Sequence, residues 1–360
     1  MPTSVLRRTV AQLFSVGIPG LELDRPTGQF LSEHRPGGVV LFRRNVKSPA
    51  QLRRLVAALH ETGAGVPPLV SIDHEGGRVD RLPRPFTHFP PAAVVGLHGV
   101  GAAEAVGRAM GVELSAVGID LDFAPVLDVC TNPRNRVIGD RAFSTDPARA
   151  ARLAIAFARG LQGAGVLACG KHFPGHGASS GDSHFVLPRV GRSRRDLAAI
   201  DLVPFVRWIR AGFPALMTSH VVYPAYDGRQ PATLSPRIAR TLLRGELGYR
   251  GVLFSDDLEM QAAAGRHPPG RLAVRALEAG CDMLLTCQSM DTARAAMKGV
   301  EEALDAGRLD PRFVIEAAAR IHRLRAALAR LRRSPSTRIG WPAHTRLARR
   351  LTPPAASRVA

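Results

Sequence analysis

The sequence predicts an α/β fold in which eight strand-helix repeats close into a single (β/α)8 TIM-like barrel, and three observations lead there. Short apolar runs rich in Val, Ile, Leu and Phe recur eight times, separated by longer segments with helical spacing, which is the pattern of parallel strands buried on both faces. No Gly/Ser linker or shift of composition divides the chain between residues 5 and 333, so the repeats belong to one domain. Polar clusters fall just where several of the strands end, which is where a barrel gathers its chemistry. An open doubly wound sheet is the competing arrangement. It lacks support because no G-x-G-x-x-G follows an early strand.

In chain order the strand candidates are Leu13–Ile18, Gly38–Phe42, Pro68–Ile72, Ile119–Ala124, Gly165–Ala168, Ala215–Thr218, Gly251–Phe254 and Asp282–Thr286. Helices fill the gaps. Pro49–Thr62 carries Leu52, Leu55, Val56 and Leu59 on one face, and Ala102–Val117 is a second clear example. Ile321, Leu324, Leu328 and Leu331 keep helical spacing near the end of the domain. Beyond Pro335 little order is expected, so residues 334–360 are read as a basic tail whose removal leaves catalysis intact.

Composition narrows the function. The formal charge is +19, yet residues 320–360 hold eleven arginines and no Asp or Glu, so more than half of the excess is terminal. That segment has no interleaved aromatics and no DNA-reading motif, which favours a solvated basic end over a specific nucleic-acid partner. A polyanion contact is the alternative. Aromatics make up 5% of the chain, with Trp208 and Trp341 the sole tryptophans, which suits a small polar pocket better than a long polysaccharide cleft. Cys130, Cys169, Cys281 and Cys287 lie in or beside apolar runs without C-x-x-C spacing and read as reduced thiols. No apolar run is long enough to span a membrane, and the N-terminal residues lack a long apolar core followed by a small-residue cleavage site; a cytoplasmic protein is expected.

Four strand ends carry the chemistry: Asp73-His74-Glu75-Gly76-Gly77-Arg78, Lys171-His172-Phe173-Pro174-Gly175-His176-Gly177, Ser219-His220 and Ser255-Asp256-Asp257. The stretch KHFPGHGASSGDSH, residues 171–184, packs three histidines, a lysine and an aspartate among glycines and a proline, and reads as a loop. A metal site is one possibility, from His172 and His176 with Asp182 and His184. An H-x-x-x-H pair works on one face of a helix, however, and Pro174 with Gly175 breaks that helix, so neither a metal nor another cofactor is expected. Asp182 and His184 are two apart and share a side in extended backbone. A carboxylate beside an imidazole makes a proton donor and acceptor near neutral pH. Of Asp256 and Asp257, strand alternation lets one aim into the barrel mouth and leaves the other to a neighbouring loop or helix.

These motifs, KHFPGHG followed by DSH, with IDHEGGRVDRL at 72–82, FAPVLDV at 123–129, IGDRAF at 138–143 and GVLFSDDLEM at 251–260, resemble the family 3 glycoside hydrolases, specifically their single-domain β-N-acetylglucosaminidases, over about residues 10–330. The resemblance implies a retaining exo-glycosidase acting on a carbohydrate, with Asp256 as nucleophile and Asp182/His184 as acid/base. It implies that Asp73, Arg81, Arg141, Lys171 and His172 bind the terminal sugar, with His176 and Ser219 in support. Members with this domain plan trim N-acetylglucosamine from muropeptides in cell-wall recycling. The chain departs from the family at His74, where glutamine is usual, and at Asp80; both positions touch the rim of the pocket and bear on fine specificity. In such a double displacement Asp256 attacks the anomeric carbon while His184 protonates the leaving oxygen, and His184 then deprotonates the incoming water. Three rivals remain open: a glycoside phosphorylase on the same site, since a histidine acid/base is uncharged once it has given up its proton and does not repel phosphate; a metal-dependent barrel hydrolase; and a polyanion-binding protein using the Arg-rich end.

Overall fold

The computed structural model describes residues 3–63, 65–180, 187–261, 265, 267–332 and 337–352. Its centre is a parallel sheet of nine strands: β1 (Phe14–Gly17), β2 (Gly38–Leu41), β3 (Leu69–Ile72), β4 (Leu121–Asp122), β5 (Leu167–Ala168), β6 (Gly170–Phe173), β7 (Ala215–Thr218), β10 (Val252–Asp257) and β11 (Met283–Thr286). The remaining two strands, β8 (Val222–Tyr223) and β9 (Asp227–Pro231), form an antiparallel pair outside it. The order β5-β4-β3-β2-β1-β11-β10-β7-β6 ends on two strands that are contiguous in the chain. Only Cys169 separates them, and its N–H donates to the Asp122 and Ala124 carbonyls, so β5 and β6 together fill one position and the ring closes with eight. The barrel expected from the sequence is the barrel observed.

All eight strand candidates overlap an observed strand, most of these shorter than the apolar run. Two differences matter for function. Lys171, His172 and Phe173, read as loop, belong to β6, and the turn begins at Pro174. Charged side chains are tolerated there because a strand's last residues reach the polar mouth of the barrel. At the same level β10 runs on to Asp257, beyond the expected end at Phe254, with a register shift against β11.

Helices wrap the ring: α1 (Thr3–Ala11), α2 (Arg25–His34), α3 (Pro49–Glu61), α4 (Ala92–Leu97), α5 (Val100–Ser115), α6 (Pro147–Gly163), α7 (Val203–Arg210), α8 (Arg237–Glu246, wound as a π-helix), α9 (Pro269–Ala279), α10 (Met290–Asp305), α11 (Pro311–Leu331) and α12 (Pro342–Leu351). Ser48, Asp146, Ser289 and Asp310 cap α3, α6, α10 and α11 by accepting from first-turn N–H groups. No described helix is long and apolar enough to cross a membrane. Inside the ring Phe123 and Phe254 meet edge to face at 5.3 Å, and Trp208, fully buried on α7, donates to the Ala215 carbonyl at 3.1 Å. Cys169, Cys281 and Cys287 are buried and Cys130 half-buried, all as free thiols.

Residues 337–352 correct the expectation of little order after Pro335. Within α12, His344, Ala348 and Leu351 are buried along one face, and the last two join the main core. Their spacing is that of an amphipathic helix. The density of arginines on the other face hides it in the sequence.

Candidate active site

The C-terminal ends of the barrel strands open into a cleft of about 960 Å³. Asp73, Arg81, Arg141, Lys171, His172, His176 and Asp256 all line it, so seven expected site residues from distant parts of the chain converge. Ser219 does not reach the cleft. Its hydroxyl donates to the Phe173 carbonyl at 3.1 Å and lies 3.0 Å from the Tyr223 hydroxyl, which donates to the Gly175 carbonyl at 2.9 Å, so it props the turn after β6 from below. Asp182 and His184 lie outside the described residues. On either side of them Ser180 and Arg189 form a bridge, and Arg189 bridges to Val222 in turn.

One wall is a charge network. Lys171 Nζ sits 2.5 Å from Asp73 and 2.7 Å from Glu75, and Arg141 grips the same Glu75 with two bonds of 2.7 Å. Burial pushes the Glu75 carboxyl up, but Arg141 and Lys171 outweigh it and hold the group far below the usual carboxylate range. Lys171 is in turn held above its ordinary value: burial works against its charge, and Asp73 and Glu75 overcome that. Beneath them Asp122 accepts from the His74 N–H at 2.9 Å, and burial pushes its pKa well up.

The opposite wall rests on Asp128. Fully buried, it accepts from the His176 N–H at 2.7 Å and the His172 N–H at 3.2 Å, and pairs with His172 Nδ1 at 2.7 Å. That bond fixes the ring and turns its other nitrogen to the cleft. Burial, followed by the neighbouring His172, pushes His176 down to about 4, so it is neutral at physiological pH; its Nδ1 lies 2.9 Å from Ser179 Oγ. The chain passes tightly here. A Cβ on Gly177 would collide with the Val129 carbonyl, so only glycine lets the turn lie on the Asp128 segment.

Asp256 and Asp257 end β10, and their carboxyls are shifted in opposite directions. For Asp256 burial is outweighed by His220, His172 and Lys171, which hold it below its ordinary value, and its N–H donates to Thr218 Oγ1 at 3.2 Å. Burial pushes Asp257 up to about 7; its carboxylate accepts from the Glu259 N–H at 3.1 Å and the Cys287 N–H at 3.2 Å, binding a neighbouring loop, yet Asp257 also lines the cleft beside Asp256, because β10 shifts register between Phe254 and Asp257 and strict alternation fails there. An ionised carboxylate on a cleft floor flanked by cations is equipped for nucleophilic attack on an electrophilic carbon. Among the described residues no group of His, Cys, Asp and Glu is arranged to hold a metal ion.

Sequence reasoning passed over Glu75 and Asp128. Glu75 stands two residues after Asp73, hence on the same side of extended backbone, and Asp128 is the lone acid of the apolar FAPVLDV run, where a buried charge needs a partner.

Barrel and cleft together define a glycoside hydrolase: residues 5–324 match the glycosyl hydrolase family 3 N-terminal domain, and the chain belongs to that family. Its relatives include a β-hexosaminidase of Methylococcus capsulatus, 43% identical over 286 residues that make up 78% of this chain and 84% of that one. Another, from Alkalilimnicola ehrlichii, is 42% identical over 321 residues, 86% of this chain and 91% of the relative. Among solved structures, NagZ from Neisseria gonorrhoeae in complex with N-trifluoroacetyl-D-glucosamine superposes with a TM-score of 0.78 at 35% identity, covering 94% of this chain and 97% of that one. A family 3 β-N-acetylglucosaminidase from Paenibacillus sp. str. FPU-7 gives a TM-score of 0.92 at 38% identity, covering 96% of this chain and 68% of that one.

Proposed function

We propose that this chain is a retaining exo-β-N-acetylglucosaminidase that releases terminal N-acetylglucosamine from β-linked glycosides, muropeptides in the cytoplasm among them, with Asp256 as nucleophile and the Asp182/His184 pair as acid/base. The observation that carries the proposal is the place of Asp256, a half-buried carboxylate at the end of β10 that lines the cleft together with His172 and the Asp73, Glu75, Arg141 and Lys171 network, whose surroundings hold it below its ordinary pKa. Asp73, Arg81, Arg141, Lys171 and His172 hold the sugar's hydroxyl and acetamido groups, and His176 and Ser219 brace the turn after β6. Lys171 is already neutralised by two carboxylates, so it orients hydroxyls without competing for the nucleophile.

The test compares nitrophenyl N-acetyl-β-glucosaminide with the corresponding glucoside, in the presence and absence of phosphate. Turnover of the first alone, giving free N-acetylglucosamine either way, is expected. A sugar phosphate as product would assign a phosphorylase. Asp256→Ala should abolish turnover, and a slow fluorosugar should label the peptide that contains Asp256. His184→Ala should cripple cleavage of a disaccharide yet spare attack on a dinitrophenyl glycoside, whose leaving group needs no proton; general acid help is worth about 10² to 10⁴-fold. Equal losses on both substrates would remove His184 from the acid/base role.

A further inference from the structure

Residues 337–352 lie beyond the matched family domain, and besides the apolar contacts of Ala348 and Leu351 they reach a buried carboxylate of the barrel. Glu113, on α5, is 3% exposed and serves four donors. Its oxygens lie 2.8 Å from His344 Nδ1, 3.3 Å from the Gly340 N–H, 2.8 Å from the Thr87 N–H and 2.6 Å from the Thr87 hydroxyl. Gly340 has φ +60 and rests on the Pro85 carbonyl so closely that a Cβ would collide with it. The C-terminal segment and the segment around Thr87 are therefore held by the same group.

From Thr87 the contacts run inward. His88 Nδ1 lies 2.6 Å from Asp80 Oδ2, and Asp80 Oδ1 accepts from the Leu82 N–H and lies 3.4 Å from His74 Nδ1. Burial pushes His74 down, so its Nδ1 is free to accept from the Arg81 N–H at 3.3 Å. Arg81 lines the cleft, and its Nε is buried with no partner among the described residues. Its side chain is not tied down by the protein there; its backbone is.

We infer that His344 is a positioning residue for sugar binding: through Glu113, Thr87, His88 and Asp80, the chain neighbour of Arg81, the C-terminal segment sets the backbone of Arg81 and with it the placement of a side chain that lines the cleft. The inference rests on the proposed glycosidase activity. It also reverses the expectation that the tail is dispensable.

The test uses the full chain and nitrophenyl N-acetyl-β-glucosaminide. His344→Ala should raise KM about five- to tenfold, the size of one lost net hydrogen bond, with kcat held within about twofold. His344→Asn, whose amide can donate to Glu113 in place of Nδ1, should restore KM. In an Arg81→Ala background the same His344→Ala change should leave KM unmoved. An unchanged KM in His344→Ala, an equal KM rise with and without Arg81, or a loss carried by kcat would each overturn the inference. Absence of turnover in the unmodified protein would instead sink the glycosidase reading.

Discussion

Asp256 and Asp257 are neighbours on one strand, yet burial and surroundings shift their carboxyls in opposite directions, and this has a measurable cost. A carboxyl raised from 3.8 to about 7 binds its proton more tightly in the folded chain than in the unfolded one. Its contribution to stability is complete below about pH 4 and is lost as pH rises through 7. His176, lowered to about 4, acts the other way: its contribution is present above about pH 6.5 and lost as pH falls toward 4. Asp257→Asn keeps an acceptor for the Glu259 and Cys287 N–H groups and removes the charge. Its melting temperature should exceed that of the parent at pH 8, and the two should converge at pH 4. Parallel curves across that range would mean that Asp257 titrates normally.

Single elements are joined at the base of the barrel by Asp282, which opens β11. It accepts from the Leu253 N–H of β10 at 2.8 Å, from Arg244 of α8 at 2.6 Å and from Arg320 of α11 at 2.9 Å. Asp282→Ala strands two partly buried guanidinium groups, and urea denaturation should show a loss of about 3–5 kcal/mol. A loss below about 1 kcal/mol would reduce the cluster to a surface ion pair. Which elements were legible in the sequence follows the same physics. The strands stood out because parallel strands covered on both faces read as unbroken apolar runs, as in Gly38-Val39-Val40-Leu41. β6 escaped because Lys171 and His172 sit where a strand gives way to the mouth. β8 and β9 escaped because they lie outside the ring and need no such run; the exposed stretch from Gly228 to Arg229 shows it. Seven of the site residues were reachable through their motifs, whereas Glu75 and Asp128 hold others in place and show their purpose only through their partners.

For the molecule as a whole, 49 basic against 30 acidic residues leave a surface that repels itself. Raising salt from a low level to about 0.15 M shortens the screening length to about 8 Å, so the melting temperature should rise over that interval and then flatten. A melting temperature that falls instead would show that surface pairs such as Arg7–Asp305 outweigh the net repulsion. The ring has one further consequence, for the order in which the protein is made. β1 pairs on one side with β2 and on the other with β11, Phe14 lying against Leu284. A chain emerging from the ribosome can pair β1 with β2 early, but the second flank of β1 waits until nearly the whole barrel has been synthesised. Throughout that interval an apolar strand edge stays open, and the nascent chain is at its most vulnerable to pairing with a neighbour on the same polysome.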